Sequence, residues 1–254
     1  MDISILGWMK YLFLIFPFIL VACSTLDDLD ANTAEGAFQL AGRYEKAERF
    51  EEAIRRYSDV RTKFPYSKWA VEAQLKIADI EYTREYFEEA ATAYQIFREM
   101  NPRYNKIEYV IYRTAMSFYN QLPEIISRDL SASSEALRYF REYLEKFPTG
   151  SWAEDIKKYQ QITYKKLANK EMYIGNYYYK QKKFLSALGR YQAVARNYSF
   201  LDVSKEAGIK AVRSALKLKY VDVAQEFLDF LKRKFPDSKE LQQAKEEGAE
   251  FGIL

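Results

Sequence analysis

The sequence predicts an all-α fold, a solenoid of five helical hairpins, and three observations carry that prediction. First, one line recurs five times with changes: RFEEAIRRYSDVRTKFP, YFEEAATAYQIFREMNP, SSEALRYFREYLEKFP, KFLSALGRYQAVARNYS and YVDVAQEFLDFLKRKFP. Second, aligned on Ala53, Ala90, Ala136, Ala187 and Ala224, a large apolar residue stands four later each time: Tyr57, Tyr94, Phe140, Tyr191 and Leu228. A proline stands twelve later in four of the five, at Pro65, Pro102, Pro148 and Pro236, with Ser199 in the remaining place. Proline cannot continue a helix, so each line is a helix with a fixed stop. Third, a small residue or Val stands upstream of each alanine, at Ala41, Ala78, Ala115, Gly175 and Val212. Small residues let two helix backbones approach, which makes these the partner helices of the hairpins. A plain bundle of packed helices does not demand a proline at constant phase.

Taken in order, the chain opens with a targeting segment over residues 1–22. Lys10 precedes the apolar run YLFLIFPFIL, too short to span a bilayer and right for the core of a signal peptide. Leu20-Val21-Ala22-Cys23 then resembles the bacterial lipobox, which implies cleavage before Cys23 and lipid on its sulfur and its new amino group. Two or more acyl chains anchor stably, at about 0.8 kcal/mol per buried methylene, where one is marginal. Cys23 is the only cysteine, so no disulfide framework is used. Ser24 at the next position resembles lipoproteins sorted onward to the outer membrane. Residues 23–32, containing TLDDLDAN, form a polar and acidic tether, and Asn32 or Thr33 can cap the first helix.

Residues 33–150 are expected to hold three hairpins as an amino-terminal group, and residues 151–254 two more with a closing helix. The step from Ala41 to Ala78 to Ala115 is 37 residues, close to the roughly 34 of a tetratricopeptide array. Two irregularities interrupt that step. The third hairpin carries a longer loop, NQLPEIISRDLS, from Asn120 to Ser131. Loops on repeat scaffolds often meet partners. Between Pro148 and Gly175 the chain has no proline or further glycine after Gly150, which predicts one long helix from about Ser151 to Lys180. Ser238 to Leu254, rich in Lys, Glu and Gln, is expected to close the array.

Composition narrows function. The chain has 254 residues, 48% hydrophobic and 30% charged, with a net charge of +3 and no histidine. That balance does not call for nucleic acid, and no dense basic run with interleaved aromatics is present. Without histidine, His-based acid–base catalysis, His-assisted nucleophiles and His-ligated metals are all removed. No phosphate-cradling Gly-rich loop or GxSxG elbow is present, so no catalytic, cofactor or metal residues are assigned. The expected mechanism is binding.

The ordered combination of lipobox, five hairpins, PRYNKIEYVIYRTAMSFY, the SRDLS loop and KLANKEMYIGNYYYKQKKF resembles the BamD, or ComL-like, family of outer-membrane assembly lipoproteins. The resemblance covers essentially the whole mature chain. It implies a non-enzymatic subunit at the periplasmic face of the outer membrane, working with other lipoproteins of the assembly machine. It further implies that the carboxy-terminal repeats bind the POTRA domains of the barrel subunit BamA. The amino-terminal hairpins are implied to receive targeting signals of unfolded barrel proteins. By alignment on RYQAVARNY, the family's arginine contact to BamA falls on Arg190, and Arg128 and Asp129 mark the loop. The family helix ends in Tyr-Pro, whereas here Tyr198 precedes Ser199, which leaves the turn after that helix open.

First helices line the concave side of such arrays, which would put Phe38, Leu75, Tyr82, Tyr109, Tyr112 and Tyr119 in a peptide groove. An aromatic surface suits an extended peptide; core packing is the competing account of the same stripe. A glycan-capturing repeat lipoprotein is the alternative function. Its sugar-stacking Trp are hard to find here, because Trp69 and Trp152 occupy matched points after KFPYSK and KFPTGS and read as packing. Another periplasmic adaptor of the cell envelope, or a wall hydrolase with paired carboxylates, is less supported still.

Overall fold

The computed structural model describes residues 29–252. The leader, Cys23 and most of the tether lie outside the described residues. Among those residues are eleven helices and no strand. They are α1 (Ala34–Lys46), α2 (Phe50–Lys63), α3 (Lys68–Thr83), α4 (Phe87–Met100), α5 (Ile107–Asn120), α6 (Ala132–Lys146), α7 (Ala153–Lys180), α8 (Phe184–Asn197), α9 (Val203–Lys217), α10 (Val221–Lys234) and α11 (Lys239–Ala249). Five hairpins and a closing helix result, an α-solenoid of tetratricopeptide type. The 28-residue α7 is the long helix expected from about Ser151 to Lys180.

The repeat positions chosen from sequence form the seams. Ala41, Ala53, Ala78, Ala90, Ala115, Ala136, Ala187, Val212 and Ala224 are fully buried, and Tyr57, Tyr94, Phe140, Tyr191 and Leu228 nearly so. Gly175 is buried on α7, with the Tyr191 ring filling the space a methyl group would need. Thr33 caps α1, its Oγ1 accepting from the Gly36 N–H at 3.0 Å.

Each hairpin turn has one geometry, except the third. Glu48, Glu85, Lys182 and Lys219 sit at φ of 56° to 62°. The next residue's N–H (Arg49, Tyr86, Lys183, Tyr220) reaches back to the carbonyl of Tyr44, Glu81, Tyr178 or Ala215 at 2.9–3.0 Å. This closure satisfies carbonyls left open at a helix end, normally with glycine at the left-handed position. The repeat ends are equally uniform. Phe64, Asn101, Phe147, Tyr198 and Phe235 follow the second helices at φ of −141° to −123°, each N–H donating four residues back. Proline confines its predecessor to extended φ. Tyr198 adopts it before Ser199 as well, and the Leu201 N–H closes on the Tyr198 carbonyl as Ser67 closes on Phe64. The turn therefore survives without its proline.

The chain divides into two compact units, described residues up to Ile77 and those from Ala78 onward. This differs from the expected division at 150/151, and α7 supplies the reason. Its first turns, Ala153 and Ile156, belong to a core with Ala115, Phe140 and Tyr143. Ala168 and Met172, further along, belong to a core with Tyr191, Val212, Phe227 and Leu241. One uninterrupted helix thus enters both cores, so no boundary falls at its start. In the first unit, Phe38 packs between Tyr57 and Trp69, and Lys76 pairs with Glu45 at 2.9 Å.

Candidate partner-binding surfaces

Four of the expected groove residues share the second unit and form one network. On α3, Asp79 Oδ1 accepts from the hydroxyls of Tyr94 and Tyr109, both at 2.7 Å. Arg113, one turn after Tyr109 on α5, donates from Nε to the Tyr109 hydroxyl at 3.0 Å. Its guanidinium also lies over the Tyr82 ring, 4.3 Å from the centroid. The Tyr82 hydroxyl accepts from Asn120 Nδ2 at 2.9 Å. Tyr112 stacks on Trp152 at 4.8 Å with 13° between planes, and Tyr119 packs on Tyr159 at 4.7 Å and beside Phe140. These rings are half-buried and already engaged with neighbours, so a ligand would meet their remaining faces and edges.

Phe38 belongs to the first unit, packed as described. Leu75 is buried and has no place on an exposed stripe. Three residues before each small seam residue stand Phe38, Leu75, Tyr112, Met172 and Ile209. That register points at the seam, the physical reason for the correction. Trp152 does for Tyr112 what Trp69 does for Phe38, so the matched tryptophans are packing residues.

Electrostatics follow from the burial. Desolvation, then the Asp79 charge, pushes the Tyr109 hydroxyl up to about 12 from 10.0. Tyr94 is raised beyond that range for the same reasons, burial first. Asp79 and Arg113 were not anticipated from sequence, because each acts through residues distant along the chain. The signal available was their place next to the seam, Asp79 directly after Ala78 and Arg113 two residues before Ala115.

The long loop is tied down by two α7 lysines that sequence reasoning also passed over. Lys166 Nζ donates to the Pro123 carbonyl at 2.6 Å, and Lys170 Nζ to the Arg128 carbonyl at 2.8 Å. Their spacing of four on one helix face could have marked them. Asp129 accepts from Ser131 Oγ at 2.6 Å and Ser131 N at 3.1 Å, which holds its carboxyl below the usual range. The Arg128 and Asp129 side chains stay exposed on this pinned loop. Arg190 lies elsewhere, on α8, and pairs with Glu171 of α7 through two contacts of 2.9 and 3.3 Å. This bond raises its pKa, yet 43% of the side chain remains exposed.

No group of His, Cys, Asp and Glu able to hold a metal occurs among the described residues, and none of their helices is long and apolar enough to cross a membrane. The family model described as "Outer membrane lipoprotein", YfiO, matches residues 30–207, well over half of the chain. The chain belongs to the YfiO family. Relatives described as outer membrane protein assembly factor BamD align along it. The one from Caulobacter vibrioides is 27% identical over 66% of this chain and 55% of its own length, so the chain spans little more than half of that relative. One from Rickettsia prowazekii is 27% identical over 75% of this chain and 76% of its own. One from Neisseria meningitidis serogroup B is 24% identical over 88% of this chain and 90% of its own.

Proposed function

We propose that this YfiO-family chain is a lipid-anchored, non-enzymatic subunit of outer-membrane protein assembly, acting through surfaces on its helical repeats. The observation that carries the reading is kinship along nearly the whole chain to outer membrane protein assembly factors. The carboxy-terminal repeats bind the POTRA region of the barrel subunit BamA through Arg190. The amino-terminal repeats receive extended signals of unfolded barrel proteins over Tyr82, Tyr109, Tyr112 and Tyr119. Arg128 and Asp129 offer a polar contact to a companion lipoprotein. Cys23 carries the lipid that holds the molecule at the periplasmic face of the outer membrane.

An exposed ion pair such as Arg190–Glu171 contributes little to folding, roughly 0–1 kcal/mol. The guanidinium is therefore available for exchange to an acidic partner at small cost. Pull-down from detergent-solubilised outer membrane should recover a β-barrel protein bearing POTRA domains. Recovery should be lost with Arg190→Glu and weakened with Arg190→Ala, while circular dichroism melts stay near the parent's. Undiminished recovery with both variants would remove the assignment of Arg190.

A further inference from the structure

The hairpin turns share a backbone geometry but not a charge. At the left-handed position the residues run Glu48, Glu85, Lys182 and Lys219. The helices that follow continue the contrast. α2 opens with Glu51 and Glu52 and α4 with Glu88 and Glu89, whereas the first turn of α8 holds no carboxylate. From Met172 to Leu201 the chain carries Lys180, Lys182, Lys183, Arg190 and Arg196 and neither Asp nor Glu. From Ala207 to Val221 it carries Lys210, Arg213, Lys217 and Lys219, again without a carboxylate.

The fourth and fifth turns stand side by side. α7 runs beside α9, where Lys210 Nζ donates to Asn176 Oδ1 at 2.7 Å and Lys180 and Arg213 line one cleft. Each helix reaches its turn a few residues further on, closed by the Lys183 N–H on the Tyr178 carbonyl and by the Tyr220 N–H on the Ala215 carbonyl. One edge of the array thus gathers Lys180, Lys182, Lys183, Lys217 and Lys219, all exposed and none in an ion pair among the described residues. Asp222 is the carboxylate of these two turns, and Glu250 stands at the end of the neighbouring α11. Apolar side chains stand out between the cations. Tyr177 is 58% exposed, Leu185 61%, Tyr220 46% and Val221 48%.

We propose that this edge binds the surface of an anionic lipid bilayer, with its lysines on headgroup phosphates and its exposed Tyr, Leu and Val side chains at the acyl boundary. Clustered lysines are drawn to a negatively charged leaflet, and their apolar stems lie along it while the ammonium groups stay in water. Tyrosine and aliphatic side chains beside them add the partitioning that charge alone does not supply. None of the exposed apolar residues lines the cleft between α7 and α9, so they offer separate tips and no pocket. Fluid headgroups close around scattered tips, whereas a folded partner needs a matched, densely packed surface. The second turn is a built-in contrast: the same backbone with Glu85, Glu88 and Glu89 is repelled by the same leaflet. Lipid on Cys23 would hold the chain to any bilayer; the lysine edge responds to the charge of that bilayer.

The test is hydrogen exchange on the full chain, purified from membranes and mixed with vesicles of phosphatidylcholine alone or with phosphatidylglycerol added to about one third of the lipid. Retention on neutral vesicles reports the anchor, and any difference between the two vesicles reports the edge, so the two readings fail separately. Segments 177–186 and 216–223 should exchange about threefold or more slowly on the anionic vesicles than on the neutral ones. Segment 84–90, in the second turn, should exchange alike on both. Salt at about 0.5 M should remove the difference. Lys182→Glu, Lys183→Glu and Lys219→Glu together should abolish it, and Leu185→Ser with Val221→Ser should weaken it at unchanged charge. All five side chains are exposed, so circular dichroism melts should stay near the parent's. The proposal is overturned by equal exchange on both vesicles, or by a difference that survives the three charge reversals or is undiminished in the double Ser variant. Protection of both segments by soluble polyglutamate as strong as by anionic vesicles would assign the edge to an acidic protein and overturn it too.

Discussion

Gly175 and Gly189 occupy the same hairpin and make opposite predictions. A Cβ on Gly175 would stand 2.7 Å from the Tyr191 ring, which is buried and held by its hydroxyl bond to Asn176. The ring cannot swing aside without breaking that bond, so Gly175→Ala should destabilise by about 1–3 kcal/mol. A Cβ on Gly189 meets nothing within 4 Å. There alanine only removes the backbone entropy of glycine in a helix interior, and Gly189→Ala should stabilise by about 0.5–1 kcal/mol. Urea denaturation of the two variants checks both signs. Tyr109 adds a dependence on pH. Its folded pKa, about 12, exceeds the 10.0 of a free tyrosine, so the folded state holds its proton longer than the unfolded chain. The stability this contributes is complete below pH 10 and is lost as pH rises toward 12. Tyr109→Phe should flatten that part of the stability curve, and absorbance titration should lose one late-ionising tyrosine.

At the level of the element, the hairpin turns show how far sequence reading reaches. The helices and their stops were legible because alanine, aromatic and proline recur at constant spacing. The turns between them were not, since Glu48, Glu85, Lys182 and Lys219 adopt left-handed backbone without the glycine that announces it. The seam closes the turn whatever residue stands there, and the strain is borne locally. Replacing Lys182 or Lys219 with glycine should therefore raise stability by about 0.5–1 kcal/mol each, a gain readable in thermal melts. The long loop escaped sequence reading in another way. Its length was evident, but its fastening depends on lysines far downstream on α7. Lys166→Met with Lys170→Met should speed amide exchange across residues 121–131 while leaving the melting temperature close to the parent's. Unchanged exchange in that segment would mean the two bonds do not hold the loop. The aromatic stripe is the intermediate case, because its rings can be picked out from spacing but not how firmly Asp79, Arg113 and Trp152 already hold them.

For the molecule as a whole, α7 is the feature on which cooperativity turns. The Ala78-onward unit contains two cores, one around Ala115, Phe140 and Tyr143 and one around Tyr191, Val212 and Phe227. Repeat proteins gain cooperativity from the interfaces between neighbouring units, so the link between these cores governs whether they melt together. Sequence spacing located the link but took it for a divider, because a gap in the repeat looks the same whether it joins or separates. Its register settles the matter: Ile156 and Tyr159 face the earlier core, and Ala168 and Met172 the later one. Lys165 lies between them and is exposed, so a proline there disturbs the backbone without removing a buried side chain. It would delete one helical hydrogen bond and clash with the carbonyl of Gln161, at a cost of about 3 kcal/mol or more. Because that cost falls on the connection and spares both cores, Lys165→Pro should split the calorimetric unfolding of this unit into two transitions. Hydrogen exchange should then report separate opening energies for α5–α6 and α8–α10. A single transition that merely shifts to lower temperature would show that the cores are coupled by contacts other than the continuous helix.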